Sequence, residues 1–338
     1  MAATMKDVKE RTGLSMATIS KYLNGGNVLP ENRVLIESAI QDLHYEVNEI
    51  ARGLVKNKTK TVGVMVYSIA SFFSSNILHY IGQELRKNGY AMMICDSCSN
   101  EEIEAENLQF LLNRKVDGII VLPVSRSGAF LNPAKEAGIP VVLLDRTLQD
   151  EIMDCVCIDN RVAAFRAVDL LIQNNHTKIA IIGSSFEDTG IERLEGYKEA
   201  LHQSGIEVRE DYMKMGRFDV QEGYEKMKQL LELEDRPTAV FLSNYETALG
   251  GVTALNESNL SCPKDISLFA FDNLLISNVV RPRLWLVVQP MEKLCVNAVR
   301  ILLERIQYAG GDAPVKMSFY AEIQPGESIR KLERNVSL

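Results

Sequence analysis

Three polar residues stand just past short apolar runs: Asp145 after Val141–Leu144, Asn244 after the run VFLS, and Asp272 after the run LFAF. Carboxylates and an amide at strand ends can hold hydroxyl or N–H groups in a cleft. The two aspartates could also form a catalytic pair, but neither has a clear nucleophile or cofactor loop beside it. The sequence holds no Gly-rich dinucleotide loop, no P-loop and no GxSxG elbow, so an enzyme is not expected. Phe72 and Phe73 follow the first strand-like run and could cap a ligand from the other side. Trp285 shares strand parity with Gln289 and is expected to face the same cleft. The six cysteines include Cys95–Cys98 as CxxC and Cys155–Cys157 as CxC. None of the four histidines is spaced as a ligand pair, so reduced thiols and no metal or other cofactor are expected.

A second chemistry lies at the N-terminus, in the stretch MKDVKERTGLSMATISKYLN at 5–24. It reads as two short helices around a tight turn, the arrangement that places a few side chains in a DNA major groove. Gly13 suits the left-handed helix stop, and Ser15 suits the N-cap of the second helix. Val8, Leu14, Ile19 and Leu23 can share one small core. A third helix opens at Pro30-Glu31, with Val34, Ile36, Ile40 and Leu43 at near-helical spacing, and closes the unit near His44.

Charge agrees with this division of labour. Residues 1–60 hold nine Lys/Arg and seven Asp/Glu, whereas the rest holds 28 basic and 38 acidic residues. An acidic body repels phosphate, so nucleic acid should meet the N-terminal segment alone. No apolar run is long enough to span a bilayer, and no signal-peptide core precedes the first charges, so a cytoplasmic protein without membrane contact is expected.

The elements that must position these residues change character along the chain. NEIARGLV at 48–55 reads as a helix too short to be stable alone, followed by a basic linker, hence a hinge that folds on support. From Thr61 onward apolar strands alternate with helices, the pattern of parallel sheets covered on both faces. Strands are expected at Thr61–Val66, Ala91–Cys95, Gly118–Leu122, Pro140–Leu144, Lys178–Gly183, Thr238–Leu242 and Ile266–Phe271. Helices are expected between them, at Asn76–Asn88, Glu101–Asn113, Val162–Asn174, Ile191–Ser204 and Gln221–Leu233. So many strands imply two lobes, with the crossing expected in the span Asp154–Asp159, preceded by Asp145–Asp150. The last strand is expected near Glu322–Ile323, and the tail beyond it has no sustained heptad, which favours a dimer over a coiled-coil tetramer.

In order along the chain, KDV…R.GLS.ATIS..LN at 6–24, N.IARGL at 48–54, TKTVGV at 59–64, VDGII at 116–120, RLEGYKEAL at 193–201, P.DIS…FDN at 263–273 and RPRL…QP at 281–290 resemble the lactose-repressor (LacI/GalR) family of bacterial transcription regulators. The resemblance covers nearly the whole chain. It implies an all-α helix-turn-helix headpiece plus an α/β body of two parallel-sheet lobes like type I periplasmic binding proteins. The implied division is 1–46 headpiece, 47–60 hinge and linker, 61–330 effector-binding and dimerisation body, and 331–338 tail. The implied function is a sequence-specific repressor acting as a homodimer on a pseudopalindromic operator in double-stranded DNA. A small-molecule effector, a sugar or related metabolite, would control it. A solute-binding protein without DNA binding is the alternative, which the N-terminal helices disfavour.

By the same resemblance, Met16 and Ala17 face base edges at the start of the recognition helix. Thr4, Ser15, Thr18, Ser20, Lys21 and Asn24 lie nearby for bases or phosphates. Asn48, Ala51, Arg52 and Leu54 belong to the hinge, with Leu54 as a minor-groove wedge. Arg193, Phe218 and Gln289 match effector-cleft positions and join Phe72, Phe73, Asp145, Asn244, Asp272 and Trp285. The chain departs from the family pattern at Lys9 and Thr12 in the first helix, at Val47 before the hinge, and at Val121 and Tyr245 in the cleft. Some relatives also use a phosphocarrier protein as partner, and no residue here marks that surface.

Overall fold

A computed structural model describes residues 3–45, 58–272, 281–308 and 313–333. The chain divides into two compact units, 1–59 and 60–338.

The first unit holds helices α1 (Met5–Thr12), α2 (Met16–Leu23) and α3 (Pro30–Leu43). Thr4 begins α1 through a capping box with Asp7, whose carboxylate accepts the Thr4 amide (2.7 Å) and hydroxyl (2.8 Å). Gly13 ends α1 at φ +71°, where a Cβ would be strained, so the turn needs glycine there. Ser15 Oγ accepts the Thr18 N–H (3.1 Å) and starts α2. Val8, Ile19, Ile36 and Ala39 form the buried centre, with Leu14, Leu23, Ile40 and Leu43 packed around them. Val34, expected inside, is 65% exposed on α3.

Among the described residues the second unit contains two six-stranded sheets, ordered β11-β5-β4-β3-β1-β2 and β12-β10-β9-β8-β6-β7. In the first lobe these are β1 (Thr61–Val66), β2 (Ala91–Asp96), β3 (Gly118–Val121), β4 (Val141–Leu144), β5 (Cys155–Ile158) and β11 (Lys316–Phe319). In the second they are β6 (Ile179–Ser184), β7 (Met213–Gly216), β8 (Ala239–Leu242), β9 (Ser267–Phe271), β10 (Trp285–Val288) and β12 (Glu322–Gln324). Described pairings are parallel except β10 with β12. Central strands such as β3, β4, β5 and β8 are buried throughout, as expected of a sheet covered on both faces.

The helices that carry cleft residues are α4 (Phe72–Lys87), α7 (Asn160–Gln173), α8 (Asp188–Gln203), α9 (Val220–Leu231), α10 (Tyr245–Asn256) and α11 (Met291–Gln307), with α5 (Glu101–Asn113) and the short α6 (Asn132–Glu136) in the first lobe. Helices α9 and α10 approach closely through glycines. A methyl on Gly250 would collide with the Val220 carbonyl, and one on Gly223 would meet Thr247 backbone at 2.6 Å.

The crossing between lobes differs from the expectation. Cys155–Ile158 is not a connector but a buried strand in the first sheet, between β4 and β11. The crossing follows it, at 159–160. The chain crosses twice more, between β10 and α11 and between β11 and β12, because α11 packs on the first lobe. Beyond β12 the backbone stays docked: Ser328 is fully buried, and the Leu332 N–H reaches the Asn174 carbonyl (2.9 Å).

Candidate effector cleft and headpiece surface

Asp145 and Asp272 each follow the last residue of a strand, β4 and β9, and each adopts a left-handed backbone at φ +74° and +76°. Aspartate tolerates that region better than most residues. The turn swings each carboxylate toward the lobe boundary, and both are almost fully buried. Burial pushes the Asp145 carboxyl up to about 6, against the pull of Arg146 and Arg193. Arg146 Nε stands 3.8 Å from Asp145 Oδ2, while Asp145 Oδ1 is buried with no hydrogen-bond partner among the described residues. The Arg146 guanidinium lies over the Tyr67 ring at 4.4 Å and donates to the Pro123 carbonyl (3.1 Å).

Arg193, on α8, is 3% exposed. Its Nε donates to Asn160 Oδ1 (2.8 Å) and its Nη1 to the Ser243 carbonyl (2.6 Å). The guanidinium sits 3.6 Å from the centroid of Phe271 and 6.0 Å from that of Phe218. Among the described residues no carboxylate oxygen is within salt-bridge distance of it. Burial lowers its pKa, against the pull of Asp272 and Asp145, and its charge is held by carbonyl oxygens and aromatic faces.

Asp272 Oδ1 accepts the Gln289 amide (2.5 Å), and Oδ2 accepts the Tyr245 backbone N–H (3.2 Å). Gln289 is 4% exposed, and its Oε1 has no partner among the described residues. Asn244 caps α10: its Oδ1 accepts from the Thr247 N–H (2.9 Å), and its amide donates to Glu246 (2.6 Å). Phe72 opens α4 and stacks on Tyr245.

Thus Phe72, Asp145, Arg193, Phe218, Asn244, Asp272 and Gln289 gather where the two lobes meet. Trp285 does not join them. Phe73 is 4% exposed, within the buried apolar cluster that also holds Phe271. Trp285 starts β10, its ring tilted against Phe269 at 6.2 Å. Parity put it on the same face as Gln289, but four residues of strand separate them by roughly 13 Å. Sequence reasoning missed Asn160, Ser243 and Phe271, which seat Arg193, and Arg146 and Tyr67 beside Asp145. Only Arg146 carried a local signal, as a base adjoining an acid at a strand end.

Two cavities open at the boundary. One of about 360 Å³ is lined by Phe72, Asn76, Tyr80, Gln289 and Lys293 among others. The other, about 460 Å³, is lined by Asp145, Arg146, Cys157, Arg161, Glu192 and Lys316 among others. In the first lobe, Glu104 accepts the N–H groups of Val124 (2.7 Å) and Ser125 (3.0 Å) and so fixes the loop that carries Arg126. Burial raises that carboxyl to about 7.

Residues 59–298 match the family model described as periplasmic binding proteins and sugar binding domain of the LacI family. The chain belongs to the LacI family. It is 34% identical over 305 residues to catabolite control protein A of Priestia megaterium, covering 89% of this chain and 92% of that protein. It is 30% identical over 335 residues to the HTH-type transcriptional repressor PurR of Actinobacillus pleuropneumoniae serotype 3 (strain JL03), covering 98% and 100%. The solved structure of a transcriptional regulator CelR–cellobiose complex superposes with a TM-score of 0.73 at 28% identity, over 96% of this chain and 99% of that one. This LacI-family chain is accordingly a transcriptional regulator, and its N-terminal helices are the family's headpiece.

On the headpiece, Ser15, Met16, Ala17, Lys21 and Asn24 are exposed or partly so, and Thr18 and Ser20 flank them on the same helix. Met16 opens α2, so its side chain and Ala17 stand at the exposed helix start. The Asn24 amide turns back to the Ser20 carbonyl (2.7 Å), and Thr4 is committed to capping α1. A shallow groove of about 530 Å³ runs between Ala17, Thr18 and Lys21 on one side and Leu29, Pro30 and Asn32 on the other. Asn48, Ala51, Arg52 and Leu54 lie outside the described residues.

Proposed function

We propose that this LacI-family repressor binds a pseudopalindromic operator as a homodimer and is controlled by a small molecule, a sugar or related metabolite, held between its lobes. Asp145, Arg193, Phe218, Asn244, Asp272 and Gln289 would hold the effector. The observation that carries this reading is a pair of buried groups with unused bonding capacity: Asp145 Oδ1 and Gln289 Oε1, each on one of the two cavities, are acceptors without partners among the described residues. Such orphans are costly unless a ligand satisfies them. The CelR–cellobiose complex is a relative with a sugar bound. Met16 and Ala17 would touch base edges, with Lys21 on guanine or phosphate and Leu54 as the wedge in the minor groove.

Control would act by population shift: the effector binds one lobe arrangement better and so changes how both headpieces are presented. The deciding experiment is an electrophoretic mobility shift with the DNA upstream of the protein's own gene, repeated with a panel of sugars and nucleosides. Retardation that a panel member changes supports the reading. No retardation at low salt, with or without any panel member, removes it.

A further inference from the structure

Phe72 and Tyr245 are the first residues of helices in opposite lobes. Their rings stack across the boundary with centroids 4.3 Å apart and planes within 8°. Beside them the Ser71 hydroxyl donates to Glu246 Oε1 (3.0 Å). The Tyr67 hydroxyl lies 3.1 Å from Ser71 Oγ. Because the Ser71 proton is committed to Glu246, the phenol is the donor in that bond. A relay thus runs from Tyr67 and Ser71 in one lobe to Glu246 in the other. Arg126, from the loop pinned by Glu104, adds a further bridge to Asp188 at 2.7 Å.

Parallel stacking demands registry: two ring faces in contact lose most of their attraction if their carriers separate by a few ångströms. The two helices are themselves fixed. Asn244 caps α10, Asp272 holds the Tyr245 N–H, and Phe73, next to Phe72, is 4% exposed in the apolar cluster. The pair therefore reports and enforces lobe closure rather than decorating a mobile surface.

We propose that Phe72 and Tyr245, supported by Ser71 and Glu246, form a latch that brings the lobes together through the chain's own side chains, so that an effector entering beside Gln289 or Asp145 must work against or rearrange it. Tyr245 is then a residue that sets how readily the cleft opens, and hence which ligands gain entry. The regulatory half of this inference rests on the effector reading above; the latch itself does not.

The test is hydrogen–deuterium exchange of the full chain, with no ligand added, comparing wild type, Phe72→Ala, Tyr245→Ala, the double variant and Tyr245→Phe. Amides around 71–76 and 243–249 should exchange about 3- to 10-fold faster in either alanine variant, the scale of one aromatic pair. Because each single change already breaks the stack, the double variant should exchange more slowly than the product of the two single effects. Tyr245→Phe should match wild type. Unchanged exchange, independent multiplication of the two effects, or acceleration spread evenly over both lobes would each overturn the latch. Operator retardation measured on the same samples separates the two readings. Loss of DNA binding in every form, wild type included, removes the proposed function and leaves the latch standing; normal DNA binding with unaltered exchange removes the latch alone.

Discussion

Asp145 and Asp272 occupy corresponding places in the two lobes, each one residue past a buried strand and each at φ near +75°. Their surroundings then diverge. Asp272 spends both oxygens on Gln289 and the Tyr245 amide, whereas one oxygen of Asp145 is left without a partner among the described residues. The first ties Gln289 and the start of α10 in place with lone pairs to spare; the second keeps one oxygen wholly unused.

Asp145→Asn should therefore stabilise the protein while weakening its effector response. The folded-state pKa of about 6 lies above the ordinary 3.8, so wild type loses stability as pH rises through that window. A carboxyl raised that far costs the folded state about 3 kcal/mol at most once it is ionised. In urea unfolding, the Asp145→Asn variant should gain that advantage above pH 6 and show none below pH 4. Asparagine also tolerates the left-handed backbone, so strain does not confuse the comparison.

Arg193→Lys should fail despite keeping the charge. An ammonium cannot reach Asn160 and the Ser243 carbonyl together or lie flat on Phe271. A loss of roughly 3–5 kcal/mol in unfolding free energy is expected for a buried charge stripped of its partners. Effector-induced thermal shifts should vanish in the same variant.

His176 predicts acid sensitivity. It is fully buried between Thr238 Oγ1 (2.8 Å) and the Arg330 carbonyl (3.0 Å), and burial lowers its pKa to about 4. A lowered histidine favours the neutral folded form, so its contribution is present above pH 6.5 and is lost as pH falls through 4. An NMR titration should find one imidazole still neutral at pH 5.

In the headpiece, Lys21→Ala should weaken operator binding at every sequence and reduce the magnitude of the salt slope by about 1 if the lysine meets phosphate. A loss confined to certain operator bases would place it on guanine instead. Leu54→Ala should weaken DNA binding while effector-induced thermal shifts persist; joint loss of both would refute the wedge.

How much could be read in advance depended on how local each signal was. Gly13 and Ser15 announced the headpiece turn because helix stops and caps are set by adjacent backbone. Buried strands such as Gly118–Val121 showed as unbroken apolar runs. Strand β7 did not, since it is half-buried at a sheet edge, and α10 was hidden by its small residues and glycines. Arg193 could be matched to the cleft, but its seat on Phe271 joins residues far apart in the chain. Trp285 shows the limit of parity: facing the right side does not put a residue at the right end of a strand.

Among the described residues three chain passages link the lobes, at 159–160, ahead of Met291 and ahead of Glu322. A single tether would act as a ball joint. Three set side by side behave like the pins of a door, permitting one swing and resisting twist or slide. Whatever opens this cleft is thereby converted into motion about one axis.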